Sequence, residues 1–203
     1  MAVAKINIGE AFQTPLTLMG KTPIILVPAL IASIIGLLLS LGLGRTMLQV
    51  MSWQIFLVSV ISSVITLLSM AWVTLILEKE LSGGKTNLSE SWIDLSKKSG
   101  NLIIAAIVLS VIISLGTFLY LIPGITLATI FLPAIPYTAI KNATLDKALG
   151  FSFSFVFSQT NFLAILLIVI VEFLLSLLPL AGLFLANLFI SIWLPYVYLK
   201  YGE

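Results

Sequence analysis

The sequence predicts an all-α integral membrane protein with six transmembrane helices in three hairpins, each hairpin preceded by a short cytoplasmic interfacial amphipathic helix. Three observations lead to this prediction. Hydrophobic residues make up 60% of the 203 residues and charged residues only 9%, against roughly a quarter in soluble domains. A unit of amphipathic stretch, apolar span, short turn and second apolar span occurs three times. Nine of the ten basic residues lie on one side of the membrane that these spans define.

The composition also excludes several kinds of chemistry. The chain has no Cys and no His, which removes disulfides, thiol catalysis, imidazole acid–base catalysis and the usual zinc and haem sites. A net charge of +2 is too small to indicate a nucleic-acid partner. We therefore expect no cofactor, no metal and one membrane domain over residues 1–203, with units at about 5–77, 86–140 and 142–200.

Six apolar segments approach the length of about 20 residues that a helix needs to cross a bilayer. They cover residues 23–44, 50–77, 101–122, 125–140, 161–178 and 181–199. Pro123 and Gly124 predict a turn between the third and fourth segments. Pro133 and Pro136 predict a kink or a partly unwound end in the short fourth segment. Short, nearly uncharged turns after the first, third and fifth segments make each pair an antiparallel hairpin.

The distribution of basic residues predicts the orientation. The N-terminus, residues 78–100, residues 141–160 and the C-terminus share one side and carry nine lysines, whereas only Arg45 lies opposite. Cytoplasmic loops of membrane proteins carry an excess of Lys and Arg. We therefore expect a plasma-membrane protein with both termini in the cytoplasm.

The three amphipathic stretches begin alike. Asn7 and Asn87 are each followed three residues later by a Glu, which is the spacing of a helix N-cap and its reciprocal partner. Thr144 is expected to cap the third stretch, although Lys147 stands where the Glu would be. The alternative is that these stretches are ordinary polar linkers that resemble one another by chance.

The second and third stretches differ in their apolar pattern. Leu88, Trp92 and Leu95 lie on one helical face, which is typical of a helix in the membrane interface with Trp at headgroup depth. From Phe151 to Phe157 every second residue is Phe, which taken alone suggests a strand. A helix is favoured because an open strand edge in lipid would leave backbone groups unpaired. A re-entrant segment is the other alternative.

Glu172 is the only ionisable residue well inside a predicted span. A charged group at that depth costs several kcal/mol, so such a residue is protonated, paired or faces water. Counting through the hairpin places Asn187 at a similar depth, and we expect the two side chains to hydrogen-bond. Glu172 is either a proton or cation site or a neutral carboxyl group that joins two helices.

The second span carries a stripe of hydroxyl side chains, at Ser59, Ser62, Ser63, Thr66 and Ser69. Such residues usually let helices approach closely and bond one another, and a hydrated pathway is the alternative. Ser62, Ser63 and Thr66, together with Glu172 and Asn187, form the candidate intramembrane polar site.

A second candidate site faces the lipid headgroups. Lys97, Lys98, Lys141 and Lys147 lie beside predicted interfacial helices, as does Trp92. Each lysine near an anionic membrane surface gains about 1 kcal/mol. Topological charge bias would explain the same lysines equally well.

Part of the third unit carries a resemblance to known proteins. The residues concerned are Pro133, Pro136, Leu145, Ala148, Leu149, Ser152 and Asn161. This segment resembles poorly characterised prokaryotic six-helix membrane proteins and the membrane domain attached to some glycerophosphodiester phosphodiesterases. There a proline-containing helix leads to a polar turn, an interfacial helix, a break and another span. Because the chain has no phosphodiesterase domain, the resemblance implies architecture and no activity.

Two classes of function follow from the sequence. The first is transport or conduction of a small solute or ion, with Glu172, Asn187 and the hydroxyl stripe lining the path. The second is a non-catalytic membrane scaffold that binds lipid or a partner membrane protein, with a homo-oligomer as a further possibility. The chain has little polar surface outside the membrane, and this favours transport over the scaffold class. A membrane enzyme comes third, because motifs such as GxSxG, HExxH and the P-loop are absent.

Overall fold

The computed structural model describes residues 4–44, 52–85, 87–158, 161–178 and 181–202, and its regular elements there are all helical. This confirms the all-α prediction. The elements are α1 (Ile8–Lys21), a 3₁₀ turn (Pro23–Ile25), α2 (Leu26–Gly44), α3 (Ser52–Leu81), α4 (Leu88–Lys97), α5 (Ser99–Leu119), α6 (Leu121–Phe131), α7 (Ala134–Lys141), α8 (Leu145–Phe157), α9 (Asn161–Ser176) and α10 (Gly182–Tyr201).

Several of these helices are long and apolar enough to cross a membrane. In the described part of the chain four segments meet that criterion, namely 53–81, α5, 121–141 and α10. Two further pairs are apolar but sharply bent, by 106° between α1 and residues 23–39 and by 102° between α8 and α9. Counting each bent pair as one span raises the number to six. Such a set of helices is characteristic of a multi-pass membrane protein.

Neighbouring apolar helices pack in pairs, α2 with α3, α5 with α6, and α9 with α10. Helix α3 also packs against α5, α7 and α10, and α10 also packs against α2. Helices α3 and α10 therefore connect the three pairs.

Polar contacts gather at one end of the bundle, which we call the polar end (residues 4–22, 78–85, 87–101, 139–158, 161 and 198–202). The N–H of Ala4 donates to the carbonyl of Tyr201 at 3.2 Å. The buried Asn161 accepts from the N–H of Ile6 at 3.0 Å and donates to the carbonyls of Ala4 at 3.2 Å and Phe155 at 3.3 Å. The segment from Ala4 to Ile6 is thus fastened both to the end of α10 and to the start of α9. The opposite end, near residues 39, 53, 120 and 177, is called the turn end.

The turn between α5 and α6 differs from the prediction. Tyr120 is the extended residue that separates them, and Pro123 and Gly124 lie in the first turns of α6. Proline is tolerated there because its missing N–H would have no helical partner. A Cβ on Gly124 would lie 2.7 Å from the Cα of Thr117, so this glycine permits close helix packing rather than a turn. The predicted start near Val50, Arg45 and the break at Pro179 lie outside the described residues.

The fourth segment is interrupted where a kink or a partly unwound end was predicted, although Leu132 and Pro133 keep helical backbone angles. Helix α6 ends at Phe131 and α7 begins at Ala134, with Pro133 between them. Proline removes a backbone donor, so carbonyls near the break need other partners. The hydroxyl of Ser152 on α8 donates to the carbonyl of Ile130 at 2.6 Å. An element of the polar end thereby supports the broken segment.

Two of the three predicted N-caps are confirmed. The side-chain oxygen of Asn7 accepts from the N–H of Glu10 at 3.3 Å, and that of Asn87 accepts from the N–H of Ser89 at 2.9 Å. Thr144 precedes α8, but its side chain caps no backbone N–H, so that prediction was wrong. The phenylalanine-rich stretch is helical, as favoured, and the ring of Phe151 stacks on Tyr137 at 4.2 Å.

Candidate functional site

A partly open cavity of about 400 Å³ lies among α2, α3, α5, α6, α9 and α10, in the half of the bundle nearer the turn end. Its polar lining residues are Ser59, Ser62, Ser63, Thr66, Glu172 and Asn187. The structure therefore brings together every residue of the candidate intramembrane polar site, from α3 and from the distant hairpin of α9 and α10.

One wall of the cavity is fixed by a contact between α3 and α10. The hydroxyl of Thr66 lies 3.2 Å from the side-chain oxygen of Asn187 and 3.0 Å from the carbonyl of Ser62. Gly36 of α2 leaves room for this amide, since a Cβ there would lie 3.4 Å from the Asn187 nitrogen. Asn187 is thus positioned by the two neighbouring helices.

Glu172 reaches the cavity from α9. The structure does not show the expected hydrogen bond to Asn187, whose oxygen accepts from Thr66 instead. Among the described residues Glu172 has no recorded hydrogen bond or ion pair, although its side chain is partly buried. Its carboxyl group is therefore available to a ligand or to water in the cavity.

The hydroxyl stripe of α3 serves more than one purpose. Ser59 lies 3.3 Å from Ser114 of α5, oxygen to oxygen, which is a helix–helix contact of the kind expected for small polar residues. Ser62, Ser63 and Thr66 line the cavity. Ser69 lies one turn beyond Thr66, and its buried hydroxyl has no partner in the described part of the chain. The structure therefore shows the helix–helix contact at Ser59, whereas a hydrated pathway along Ser62, Ser63 and Thr66 stays a prediction.

The cavity ends at an apolar floor on the side of the polar end. Leu67, Met70, Leu132 and Ile190 line this floor. Beyond it Ile76 and other side chains are fully buried. Within the described residues the cavity is therefore closed toward the polar end by packed apolar side chains.

The predicted headgroup contacts are only partly available to lipid. The ammonium of Lys98 donates to the carbonyls of Ala139 at 2.7 Å and Ile140 at 3.0 Å. It thus satisfies the last carbonyls of α7, as cations at helix C-termini often do. Lys98 therefore has partners within the protein, and its contact with lipid headgroups stays a prediction. Lys141 also has interaction partners within the protein.

The remaining members of that group are exposed at the polar end. Lys97 pairs with Asp94 at 3.7 Å, but its side chain is 71% exposed. Lys147 is exposed. Trp92 is half exposed and packs its ring 4.8 Å from that of Trp72 on α3.

Sequence reasoning missed the residues that attach α4 to α3. The ammonium of Lys79 lies 3.0 Å from Asp94, and this interaction holds the pKa of Asp94 below its usual value of 3.8. The indole N–H of Trp72 donates to the hydroxyl of Ser91 at 2.9 Å. The available signal was the position of Lys79 and Trp72 on the last turns of a long apolar helix that leads into an amphipathic one.

The helices are compatible with a multi-pass membrane protein, and a mostly apolar cavity with a few polar groups lies among them. No protein-family model, curated protein or solved structure matches the chain. The resemblance of residues 133–161 to six-helix membrane domains stays a prediction.

Proposed function

We propose that the protein carries a small solute or ion across a membrane by way of this cavity. The observation that supports the proposal is the convergence of Glu172, Asn187 and the α3 hydroxyls on one partly open cavity. Small-molecule sites are typically concave, about 300–1,000 Å³ in volume, and mostly apolar with a few placed polar groups. Intramembrane ionisable residues mark solute and proton pathways in many membrane proteins.

The proposal includes six spans with the polar end in the cytoplasm. Near right-angle bends precede α2 and α9, which suits helices that lie along the interface before a span. The lysine excess at the polar end supports the orientation. In this arrangement the cavity lies toward the outer side and its floor faces the cytoplasm.

Transport requires that the floor open at some stage. Leu132, a floor residue, adjoins Pro133 in the broken segment between α6 and α7. Broken helices line the binding sites of many transporters. The break is thus suitably placed to change the closure of the cavity.

The orientation can be tested by labelling, because the chain contains no Cys. A single cysteine at Tyr120, which is 76% exposed at the turn end, should react with a membrane-impermeant maleimide in intact cells. A cysteine at Lys85, in the exposed connector before α4, should react only after permeabilisation. The opposite result would contradict the proposed orientation.

The transport proposal is tested by flux into proteoliposomes. Protons, Na⁺, K⁺ and small organic cations should be assayed separately with wild-type protein and with Glu172→Gln, which keeps the side-chain volume. We expect at least one flux to fall about tenfold or more in Glu172→Gln, an effect that corresponds to about 1.4 kcal/mol. Glu78→Gln, at the polar end of α3 and away from the cavity, is the matched control. No flux from the wild type, or equal flux from Glu172→Gln and Glu78→Gln, would contradict the proposal.

The scaffold alternative is favoured by one observation, the exposure of Trp92, Lys97 and Lys147 at the polar end. It predicts retention of anionic lipid that weakens in the double variant Lys97→Gln and Lys147→Gln. Retention unchanged by these substitutions would leave the alternative without support.

A further inference from the structure

The charges that line the cavity are one-sided. Glu172 is the only charged residue in the lining formed by the described residues, and no Lys or Arg accompanies it. An ionised carboxylate without a partner is costly at low dielectric, whereas a bound cation would offset that cost. A cation is therefore the ligand that would keep this carboxyl group ionised, and a positively charged ligand complements the cavity.

The walls indicate what else the ligand contains. Polar groups occupy parts of α3, α9 and α10, whereas Ile55, Val58, Ile113, Ala128 and Leu183 supply apolar surface. A ligand that fills such a cavity needs an apolar body in addition to its charge. A bare alkali ion would leave most of that surface without contacts.

Ligation of an inorganic ion is poorly served by these side chains. A hard cation such as Ca²⁺ takes about 6–8 oxygen ligands. The described residues contain no group of three or more Asp, Glu, His or Cys side chains that could hold a metal ion. In addition, the hydroxyl of Thr66 and the oxygen of Asn187 are already bonded to each other.

The type of cation follows from the absence of rings in the lining. Quaternary ammonium groups are recognised by cages of aromatic residues through cation–π contacts. The described lining includes no Phe, Tyr or Trp. It does include Ser62 and Ser63, whose hydroxyl oxygens accept hydrogen bonds. This chemistry favours a cation that carries N–H donors.

We propose that the cavity binds a small primary amine in its ammonium form, with the charge at Glu172, N–H donation to the α3 hydroxyls and the apolar body against the opposite wall. The inference rests on the proposed transport function and names its substrate class.

Binding is measured by isothermal titration calorimetry on the full-length protein in phosphatidylcholine nanodiscs. The probes share one apolar body: phenethylammonium, its trimethylammonium analogue, and the neutral phenethyl alcohol. We expect phenethylammonium to bind about tenfold or more tightly than either analogue, because neither analogue can form the charge-assisted N–H hydrogen bond to Glu172. Equal affinity for the quaternary analogue or for the alcohol would overturn the proposal.

Variants locate the site. Glu172→Gln should lower the affinity for phenethylammonium by about tenfold or more, while Glu78→Gln should leave it unchanged. Ser63→Leu narrows the cavity and keeps Glu172, so it should also lower the affinity even if Glu172→Gln fails to fold. Wild-type affinity in Ser63→Leu, or in a folded Glu172→Gln variant, would place the amine elsewhere and overturn the proposal.

Flux separates this inference from the proposed function. Uptake of radiolabelled phenethylammonium into proteoliposomes is compared with protein-free liposomes at about pH 7.5, where the amine is still almost entirely protonated and a carboxyl group can be ionised. Specific binding without uptake would contradict transport and support the ligand class. Glu172-dependent flux of Na⁺ or protons without amine binding would support transport and overturn the ligand class. Neither binding nor flux would overturn both.

Discussion

The two halves of α3 are both rich in apolar residues, but they are packed very differently. Met70, Val73 and Ile76, toward the polar end, are fully buried, whereas Trp53 and Ile61, toward the turn end, are about half exposed. The same contrast runs through α10, where Ile192 and Leu194 are fully buried and Leu183 is 48% exposed. In a bilayer such exposed apolar residues have lipid for a neighbour, so the difference concerns packing and not hydrophobicity.

The two halves of the bundle therefore differ in what they contribute. The half toward the polar end contains dense side-chain packing and buried hydrogen bonds such as those of Asn161. The other half contains the cavity and its polar lining. We infer that the polar end supplies most of the stability of the bundle. The turn-end half can then hold poorly paired polar groups, which a binding site needs, without unfolding the protein.

The most severe test of this division is Asn161→Ala. The substitution leaves the N–H of Ile6 and the carbonyls of Ala4 and Phe155 without their partner, and each buried unpaired group costs about 1–3 kcal/mol. We expect a loss of about 3 kcal/mol or more in the free energy of unfolding, measured by SDS titration with circular dichroism.

Asn101→Ala is the matched control for that variant. Asn101 also begins an apolar helix and donates to the carbonyl of Asn142 at 2.9 Å, but in an exposed place where water can replace it. Its effect should be within about 1 kcal/mol of zero. Equal losses of unfolding free energy in Asn161→Ala and Asn101→Ala would show that burial of Asn161 does not determine its contribution to stability.

A second test compares two isoleucines of α3. Ile76 is fully buried and Ile61 is 48% exposed. Ile76→Ala should lower the free energy of unfolding by about 2 kcal/mol or more, because it opens a cavity in packed surroundings. Ile61→Ala should change it by about 0.5 kcal/mol or less. A larger effect at Ile61, in the same SDS titration, would reverse the proposed distribution of stability.

A third test asks whether the cavity half can lose function without losing stability. Thr66 and Thr74 both donate to a carbonyl of α3, but Thr66 also reaches Asn187. Thr66→Val should weaken phenethylammonium binding about three- to tenfold, since Asn187 loses the contact that positions it, with little change in the unfolding midpoint. Thr74→Val should leave binding unchanged. Equal phenethylammonium affinity in Thr66→Val and Thr74→Val would show that the contact between Thr66 and Asn187 does not contribute to binding.

The smallest expected effect concerns pH and the attachment of α4. Lys79 lowers the pKa of Asp94 below its usual 3.8, so the ionised carboxylate stabilises the folded state above the unfolded pKa. That contribution is lost as the pH falls through the lower, folded value. Because Asp94 is partly exposed, we expect a modest fall in the hydrogen-exchange protection factors of α4 at acidic pH, measured relative to the intrinsic exchange rate at each pH. Asp94→Asn should abolish the pH dependence; if it persists there, another group is responsible.

Much of the fold followed from local sequence pattern. Helix positions depend on apolar length and on caps such as Asn7 and Asn87, which act within one turn. The grouping of Thr66, Glu172 and Asn187 was accessible because depth in a membrane can be counted along each span. Residues at the same depth in the membrane, on helices of adjacent hairpins, can face the same cavity.

The rest depended on contacts between distant segments. The role of Lys98 could not be predicted because it requires that the end of α7 lie beside the start of α5. The turn at Tyr120 was misplaced because Gly124 was interpreted as a turn residue, whereas it is needed where α6 approaches Thr117. Both cases have one physical origin. A local sequence pattern limits the conformations and contacts that a residue can adopt, and packing between distant segments selects one of them.

The hydrogen bond between Ala4 and Tyr201 has a consequence for how the chain can be rearranged. Because these residues meet at the same end of the bundle as the connector at Ser82–Lys85, the ends could be joined by a short linker and the chain opened at Gly83 instead. Gly83 adopts a φ of +78° in an exposed connector, the kind of place that tolerates new termini. Such a circular permutant would begin with α4 and end with α3 while keeping every helix pair intact. A folded permutant would show that the bundle depends on which helices adjoin and not on their order along the chain.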